Sequence, residues 1–288
     1  MKTLNVVGAG RVGRTLASLW EEKHDFVVQD VLDGTPEGAR AAVVFIGDGN
    51  AVQAVAEMHH ADVWMIATPD RAIASAADSI AAAGVLRAGD IVFHCSGSIA
   101  SAALAAASRA GASVASVHPL KTFADARDAV RSFTGTYCAA EGDRAALDVL
   151  VPAFERIGAR VCEIDPAFKT IYHAASVVVC NYLVALLETG FRCYEKAGLT
   201  RETASAMIEP IVRETLENVL KLGTAKALTG PIARGDDAVV RGHLEALGAW
   251  DDRIARIYRD LGAVAVEVAS ERAELDAHTL QRLTDALR

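Results

Sequence analysis

The sequence predicts an α/β fold: a doubly wound, mostly parallel sheet over residues 1–164, followed by an all-α domain over residues 165–288. Three observations carry this. Short apolar runs alternate with Ala-rich helical patterns up to about residue 164, and such alternation implies crossover units in a parallel sheet covered by helices. From Pro166 onward the strand signals stop and helical periodicity takes over. A glycine-rich turn stands where the first strand pattern meets the first helical one.

In chain order, strands are expected at residues 4–7, 26–32, 43–46, 63–67, 91–94, 114–117, 137–140 and 160–163, the last two as additions to the sheet. Helical patterns fall at 14–22, 71–83, 100–110 and 144–157. Residues 168–197 read as one long helix with few charges on one side, ended by Gly198, with Thr200 opening the next. Further helices are expected at 201–222, 236–247, 250–269 and 275–287. Residues 223–235, with Gly230-Pro231 and Gly235, read as a loop.

Bulk properties narrow the function. A chain of 288 residues suits two domains, and 52% hydrophobic residues allow a sizeable core. A net charge of −8 with no basic block argues against nucleic acid or an anionic membrane as partner. Residues 174–187, the most apolar stretch, are interrupted by Asn181 and too short to span a bilayer. The N-terminus runs directly into a strand pattern without a signal-peptide profile, so a cytoplasmic protein is expected. Five cysteines, an odd number without a CxxC pair, read as reduced thiols, not as disulfides or a zinc site. No HxH or HExxH spacing occurs, so no metal is expected.

The turn Gly8-Ala9-Gly10-Arg11-Val12-Gly13 matches the GxGxxG fingerprint, follows a strand and opens a helix. The first glycine permits the turn, the second lets the backbone approach a pyrophosphate, and the third lets helix and strand pack closely. The helix N-terminus offers free N–H groups to the phosphates. This points to a Rossmann domain binding NADP or NAD. An acid ending the second strand would bind the free 2′-hydroxyl of NAD, and a basic residue would suit NADP. Asp30 and Asp33 are the candidates; Asp33 lies twenty residues after Gly13, near the usual spacing. Arg11 stands within reach of a 2′-phosphate, so the choice stays open.

Ligands of open parallel sheets bind beyond the carboxyl ends of the strands. Thr68-Pro69-Asp70 ends one strand, with Thr68 and Pro69 placed to line the nicotinamide ribose. His94-Cys95-Ser96-Gly97-Ser98 ends the next, where small residues admit a cofactor (Ser96) or substrate (Ser98). GxSxG is absent, which discounts a serine hydrolase. His118-Pro119-Leu120-Lys121 ends a third strand, bringing an imidazole near its neutral titration range and an ammonium suited to an acidic substrate. On the long helix, His173 and Asn181 lie eight residues apart on one face, with Val177 between them. Polar groups on such an apolar helix need partners or a function.

Together with Tyr172-His173 and Gly230-Pro231-Ile232-Ala233-Arg234-Gly235-Asp236, these motifs resemble one group of oxidoreductases. It pairs a Rossmann-like domain with a C-terminal helical domain of unknown function, over nearly the whole chain. That group is similar in plan to ketopantoate reductase, pyrroline-5-carboxylate reductase, prephenate dehydrogenase and the 6-phosphogluconate dehydrogenase superfamily. The resemblance implies a helical domain of the 6-phosphogluconate dehydrogenase C-terminal type and a homodimer formed through it. In ketopantoate reductases a lysine and two asparagines line the interdomain helix at four-residue intervals. Setting the last asparagine on Asn181 puts His173 at the lysine and Val177 at the middle asparagine, so that substrate does not carry over. His118-Pro119 is similar to the His-Pro of prephenate dehydrogenases.

The function expected is therefore hydride transfer between NAD(P) and a small carbonyl or imine substrate in an interdomain cleft. His173 would be the general acid/base and His118 the alternative; Asn181 would position the substrate, with Ser98, Lys121 and Arg234 as further substrate contacts. The competing expectation is a dinucleotide-binding sensor without turnover.

Overall fold

The computed structural model describes residues 1–272 and 274–288. The chain divides into two compact units, Met1–Asn181 and Tyr182–Arg288.

The first unit is built on eight strands: β1 (Lys2–Val7), β2 (Phe26–Leu32), β3 (Asn50–Val52), β4 (Val63–Ile66), β5 (Ile91–His94), β6 (Ser113–Pro119), β7 (Tyr137–Gly142) and β8 (Arg160–Glu163). Their order is β3-β2-β1-β4-β5-β6-β7-β8. All neighbours are parallel except β6 and β7. The chain thus doubles back between β1 and β4, the switch point at which such sheets bind ligands. The helices of this unit are α1 (Arg11–Lys23), α2 (Pro36–Ile46), α3 (Ile73–Ala82), α4 (Ala105–Arg109), α5 (Ala126–Arg131), α6 (Arg144–Arg156) and α7 (Lys169–Ser176).

The two-residue period of the strands sorts their apolar side chains into two cores. Leu4, Val6, Met65 and Phe93 face one side with Leu16, Trp20 and Phe154; Val7, Trp64, Ile66 and Val92 face the other with Ile73, Ile80 and Leu104. Trp20 meets Phe26, Phe93 and Phe154 edge to face. Its indole N–H donates to the Ala153 carbonyl at 3.0 Å, so no polar atom is stranded there.

The strand expected at residues 43–46 is the last turn of α2 instead. Helix-start chemistry overrides the β-branched pair: Thr35 caps Gly38 N–H with its hydroxyl, and Pro36 occupies the first helical position. The third strand falls later, at β3, beside β2. Residues 223–235 hold two single-turn helices where a loop is expected, the second opened by Gly230-Pro231.

The second unit comprises α8 (Tyr182–Lys196), α9 (Arg201–Leu222), α10 (Thr224–Ala227), α11 (Gly230–Ala233), α12 (Asp237–Gly248), α13 (Asp252–Ser270) and α14 (Ala277–Ala286). Its core gathers Ile232, Val240, Val266, Ala269, Leu283 and Leu287. Between α7 and α8 the backbone forms a π-helical turn at Val177–Asn181. By length and composition the run Pro166–Lys196, 31 residues, is long and apolar enough to cross a membrane, longer than the stretch 174–187 implies.

Candidate active site

The glycine turn is closed toward the protein at two positions and open at one. Gly8 has φ +91°, and a Cβ there would meet Thr68 N at 2.6 Å, so only glycine makes this turn against the end of β4. A Cβ on Gly13 would collide with the Gly8 carbonyl oxygen, the close helix–strand approach expected. Around Gly10 nothing lies within 4 Å of a would-be Cβ, which leaves the backbone free for a ligand. Gly10 caps the 13-residue α1 without a side-chain bond, so its first N–H groups remain available. Beside them the buried Thr68 Oγ1 has no hydrogen-bond partner among the described residues, and Pro69 leads into the turn Asp70–Ala72.

The two candidate acids separate cleanly. Asp30 is fully buried and accepts from the His59 N–H at 2.6 Å, a structural role. Asp33 is half-buried at the end of β2 and accepts from Ala9 N–H at 3.1 Å, which holds its carboxylate across the glycine turn. Arg11 reaches the Phe123 carbonyl at 3.4 Å, and Val12 packs against the core. The open cradle at Gly10, the orphaned Thr68 hydroxyl and the aimed Asp33 fit a nicotinamide dinucleotide.

Next along the sheet, β5 and β6 end in a compact polar cluster. His118 and His173 converge over Gly97, and Tyr172 joins them: His118 Nδ1 lies 3.1 Å from the Tyr172 hydroxyl, and the two imidazole centroids are 6.0 Å apart. A Cβ on Gly97 would meet His173 Cδ2 at 2.5 Å and His118 Nε2 at 2.8 Å, so glycine is the residue that lets both rings settle. Burial pushes His118 down to about 4, with Lys169 and His173 adding to the effect and Asp70 opposing it. Burial likewise raises Tyr172 above the ordinary phenol range. At neutral pH the cluster therefore presents a neutral imidazole beside a protonated phenol.

The loop below is tightly made. Ser96 is buried, and its hydroxyl accepts from Ser98 N–H at 3.2 Å and Ile99 N–H at 3.0 Å. Ser98 donates to Asp70 Oδ2 at 2.8 Å, linking this loop to the end of β4. His94 is fully buried; its Nδ1 accepts from Ser96 N–H and its Nε2 lies 3.3 Å from the Ala100 carbonyl.

Other expected residues stand apart. Lys121 is committed to the Ser132 carbonyl at 2.8 Å. Asn181 is exposed at the end of the π-helical turn, and no hydrogen bond joins it to His173. Arg234 is exposed after α11 in the second unit. Sequence reasoning passed over Lys169, Glu141, Ser116 and Ser101, a buried polar group beneath the histidines. The available signals were single charges in apolar surroundings: Glu141 after Cys138-Ala139-Ala140, and Lys169 at the head of an apolar helix.

A doubly wound sheet, with an open glycine turn at its switch point and a polar cluster on adjoining strand ends, defines a Rossmann-type fold with an appended helical unit. Residues 2–119 match the Rossmann-like domain family, and residues 136–265 match the domain of unknown function DUF2520. Protein TM1727 from Thermotoga maritima shares 25% identity and a TM-score of 0.77, over 94% of this chain and 100% of that one. An imine reductase from Myxococcus stipitatus, solved in complex with NADP+, has 16% identity and a TM-score of 0.66, covering 99% and 100% of the two chains. Pyrroline carboxylate reductase from Plasmodium falciparum, solved with NADP bound, has 13% identity and a TM-score of 0.56, covering 100% and 98%. A comparison with curated proteins finds no match.

Proposed function

We propose that the chain is an NAD(P)-dependent oxidoreductase acting on a small carbonyl or imine substrate. The observation that carries this is the pair His118 and His173 over Gly97, with Tyr172 on His118, two strands along the sheet from the open glycine turn. Two structural neighbours, an imine reductase and a pyrroline carboxylate reductase, carry the same class of cofactor and support the reading.

The nicotinamide, when bound, supplies or accepts the hydride. The chain's residues do the rest. Gly8, Gly10 and the N-terminus of α1 receive the pyrophosphate, Asp33 reads the adenosine ribose, and Thr68 and Pro69 line the nicotinamide side. Hydride addition to a carbonyl or a neutral imine leaves an oxygen or nitrogen anion that needs a proton, which His173 donates. His118, held neutral, and Tyr172, held protonated, orient the substrate by hydrogen bonds. Ser98, fixed by Asp70, borders the substrate.

The direct test is a panel of 2-oxo acids and cyclic imines offered with NADH and NADPH, followed by nicotinamide absorbance. Tight cofactor binding with no oxidation by any panel member would favour a dinucleotide sensor over an enzyme.

We further propose a homodimer formed through the helical unit. Of the 22 residues of α9 only Ala204 is buried among the described residues, while Met207, Ile211, Leu216 and Leu220 are exposed. On α8, Tyr182, Leu183 and Val184 are exposed too. So many exposed apolar side chains on two helices call for a partner. A membrane would serve as well by composition, but Lys169 and Tyr172, early in the same run, are tied into the sheet unit. Sedimentation of the wild type against Ile211→Glu distinguishes dimer from monomer.

A further inference from the structure

Beneath the imidazole pair lies a charged group that the proposed chemistry does not touch. Lys169 opens α7 and is 1% exposed. Its Nζ donates to Ser116 Oγ at 2.8 Å and stands 3.3 Å from Glu141 Oε1. Glu141, 2% exposed, accepts from the Ser101 N–H at 2.8 Å and the Ser101 hydroxyl at 2.7 Å. The Ser116 hydroxyl donates to the Ser96 carbonyl at 3.3 Å. In the sheet register His94 pairs with Ser116, and Ser116 with Glu141. A single cross-strand row of polar residues therefore spans β5, β6 and β7, and Lys169 caps it.

This row is connected to the site by simple geometry. His118 lies two residues beyond Ser116 on β6 and so shares its face. Tyr172 and His173 follow Lys169 by three and four residues, on the same side of α7. Sealing two opposite charges in a core is expensive in desolvation, and apolar residues of like volume often stabilise a fold as well or better. Geometric specificity is the better account of why charges stand here.

We propose that Lys169 is a positioning residue of this site. Its ammonium, held between Glu141 and Ser116, sets the depth and rotation of α7, which puts Tyr172 against His118 and His173 over Gly97. The same ammonium stands as a positive charge beneath His118. That charge adds to burial in keeping His118 neutral; His173 acts in the same sense, and Asp70 opposes both. Burial lowers Lys169 itself, and Glu141 and Cys95 oppose that effect.

The proposal rests on the reading of this cluster as the place of chemistry, but its test needs neither cofactor nor turnover. The imidazole titrations of His118 and His173 are followed by NMR in the wild type, in Lys169→Met and in the paired variant Lys169→Met with Glu141→Gln. The paired variant leaves no charge alone in the core, so it carries the test if the single variant fails to fold. His118 should titrate about half a unit to one unit higher in the paired variant, and the Tyr172 and Gly97 resonances should move. A folded paired variant that titrates His118 as the wild type does, with those resonances in place, reduces Lys169–Glu141 to a core ion pair and overturns the proposal. Ser116→Ala, which removes one hydrogen bond and no charge, gives a second reading. It should move the Tyr172 and His173 signals, and their immobility would also overturn the positioning role.

Discussion

The Tyr172 hydroxyl lies 3.1 Å from His118 Nδ1, which joins a residue of α7 to one of β6 across 54 positions of sequence. This contact makes the cluster one unit, because the neighbouring His173 then overhangs Gly97 together with His118. Gly97→Ala follows as the sharpest geometric test. Its Cβ would sit 2.5 Å from His173 Cδ2 and 2.8 Å from His118 Cε1. Both obstacles are ring ends that can swing aside, so the fold should survive with a stability loss of about 1 kcal/mol. Turnover should fall by about tenfold or more, since a displaced acid no longer meets the substrate. Unchanged kcat in a folded Gly97→Ala protein would show that the rings do not act there.

His173→Ala tests the proton donor itself. General acid catalysis by a positioned group contributes about 10²–10⁴-fold, so kcat should drop by that order while cofactor affinity stays level. Because His118 is neutral and bonded to Tyr172, His118→Ala should raise the substrate KM at least as much as it lowers kcat. A near-normal kcat for His173→Ala would transfer the role to Tyr172 or His118.

At the glycine turn, Gly10→Val adds a side chain where the protein has no atom within 4 Å. The melting temperature should therefore hardly move, whereas NADH and NADPH binding by calorimetry should both be lost. Retained affinity for either would remove the pyrophosphate from this turn.

Cofactor choice hangs on Asp33, whose carboxylate is aimed by the Ala9 N–H. Asp33→Ser should weaken NAD more than NADP, because the 2′-hydroxyl loses its acceptor and the 2′-phosphate loses a like charge. An unmoved ratio of the two dissociation constants would leave Asp33 as a turn residue only.

The sheet and the glycine turn were legible because strand period and turn chemistry are local: β2, β5 and β8 fall at the residues expected. The misplaced third strand shows the limit of local signals. Val43 and Val44 favour a strand locally, and the Thr35 cap with Pro36 decides otherwise. Within the site, His118 and His173 could be singled out because histidines at a strand end and on an apolar helix are conspicuous. Their pairing with Tyr172 could not, since it depends on how α7 lies on β6. Lys169 and Glu141 were hidden for the same reason. A buried ion pair has no spacing rule, and only the register His94–Ser116–Glu141 brings its members together.

The remaining prediction concerns acid stability and rests on His94, which is fully buried on β5. Its Nδ1 accepts the Ser96 N–H, so Nε2 carries the proton and faces the Ala100 carbonyl. Burial, the largest effect, pushes this imidazole down to about 4 from an ordinary 6.5. The folded state therefore binds the proton less readily than the unfolded chain does. Above about 6.5 both states are neutral and the stability is fully present; below it the unfolded state takes up the proton first. Stability should thus fall progressively from pH 6.5 to about 4, and His118, lowered in the same way, should add to the loss. Between pH 7 and pH 5 each such group removes about 1–2 kcal/mol. Urea unfolding at the two pH values measures this directly. His94→Asn keeps an acceptor for Ser96 N–H but cannot titrate. It should be less stable than the wild type at pH 7 and lose less on acidification. Parallel losses in the two proteins would place the acid sensitivity elsewhere.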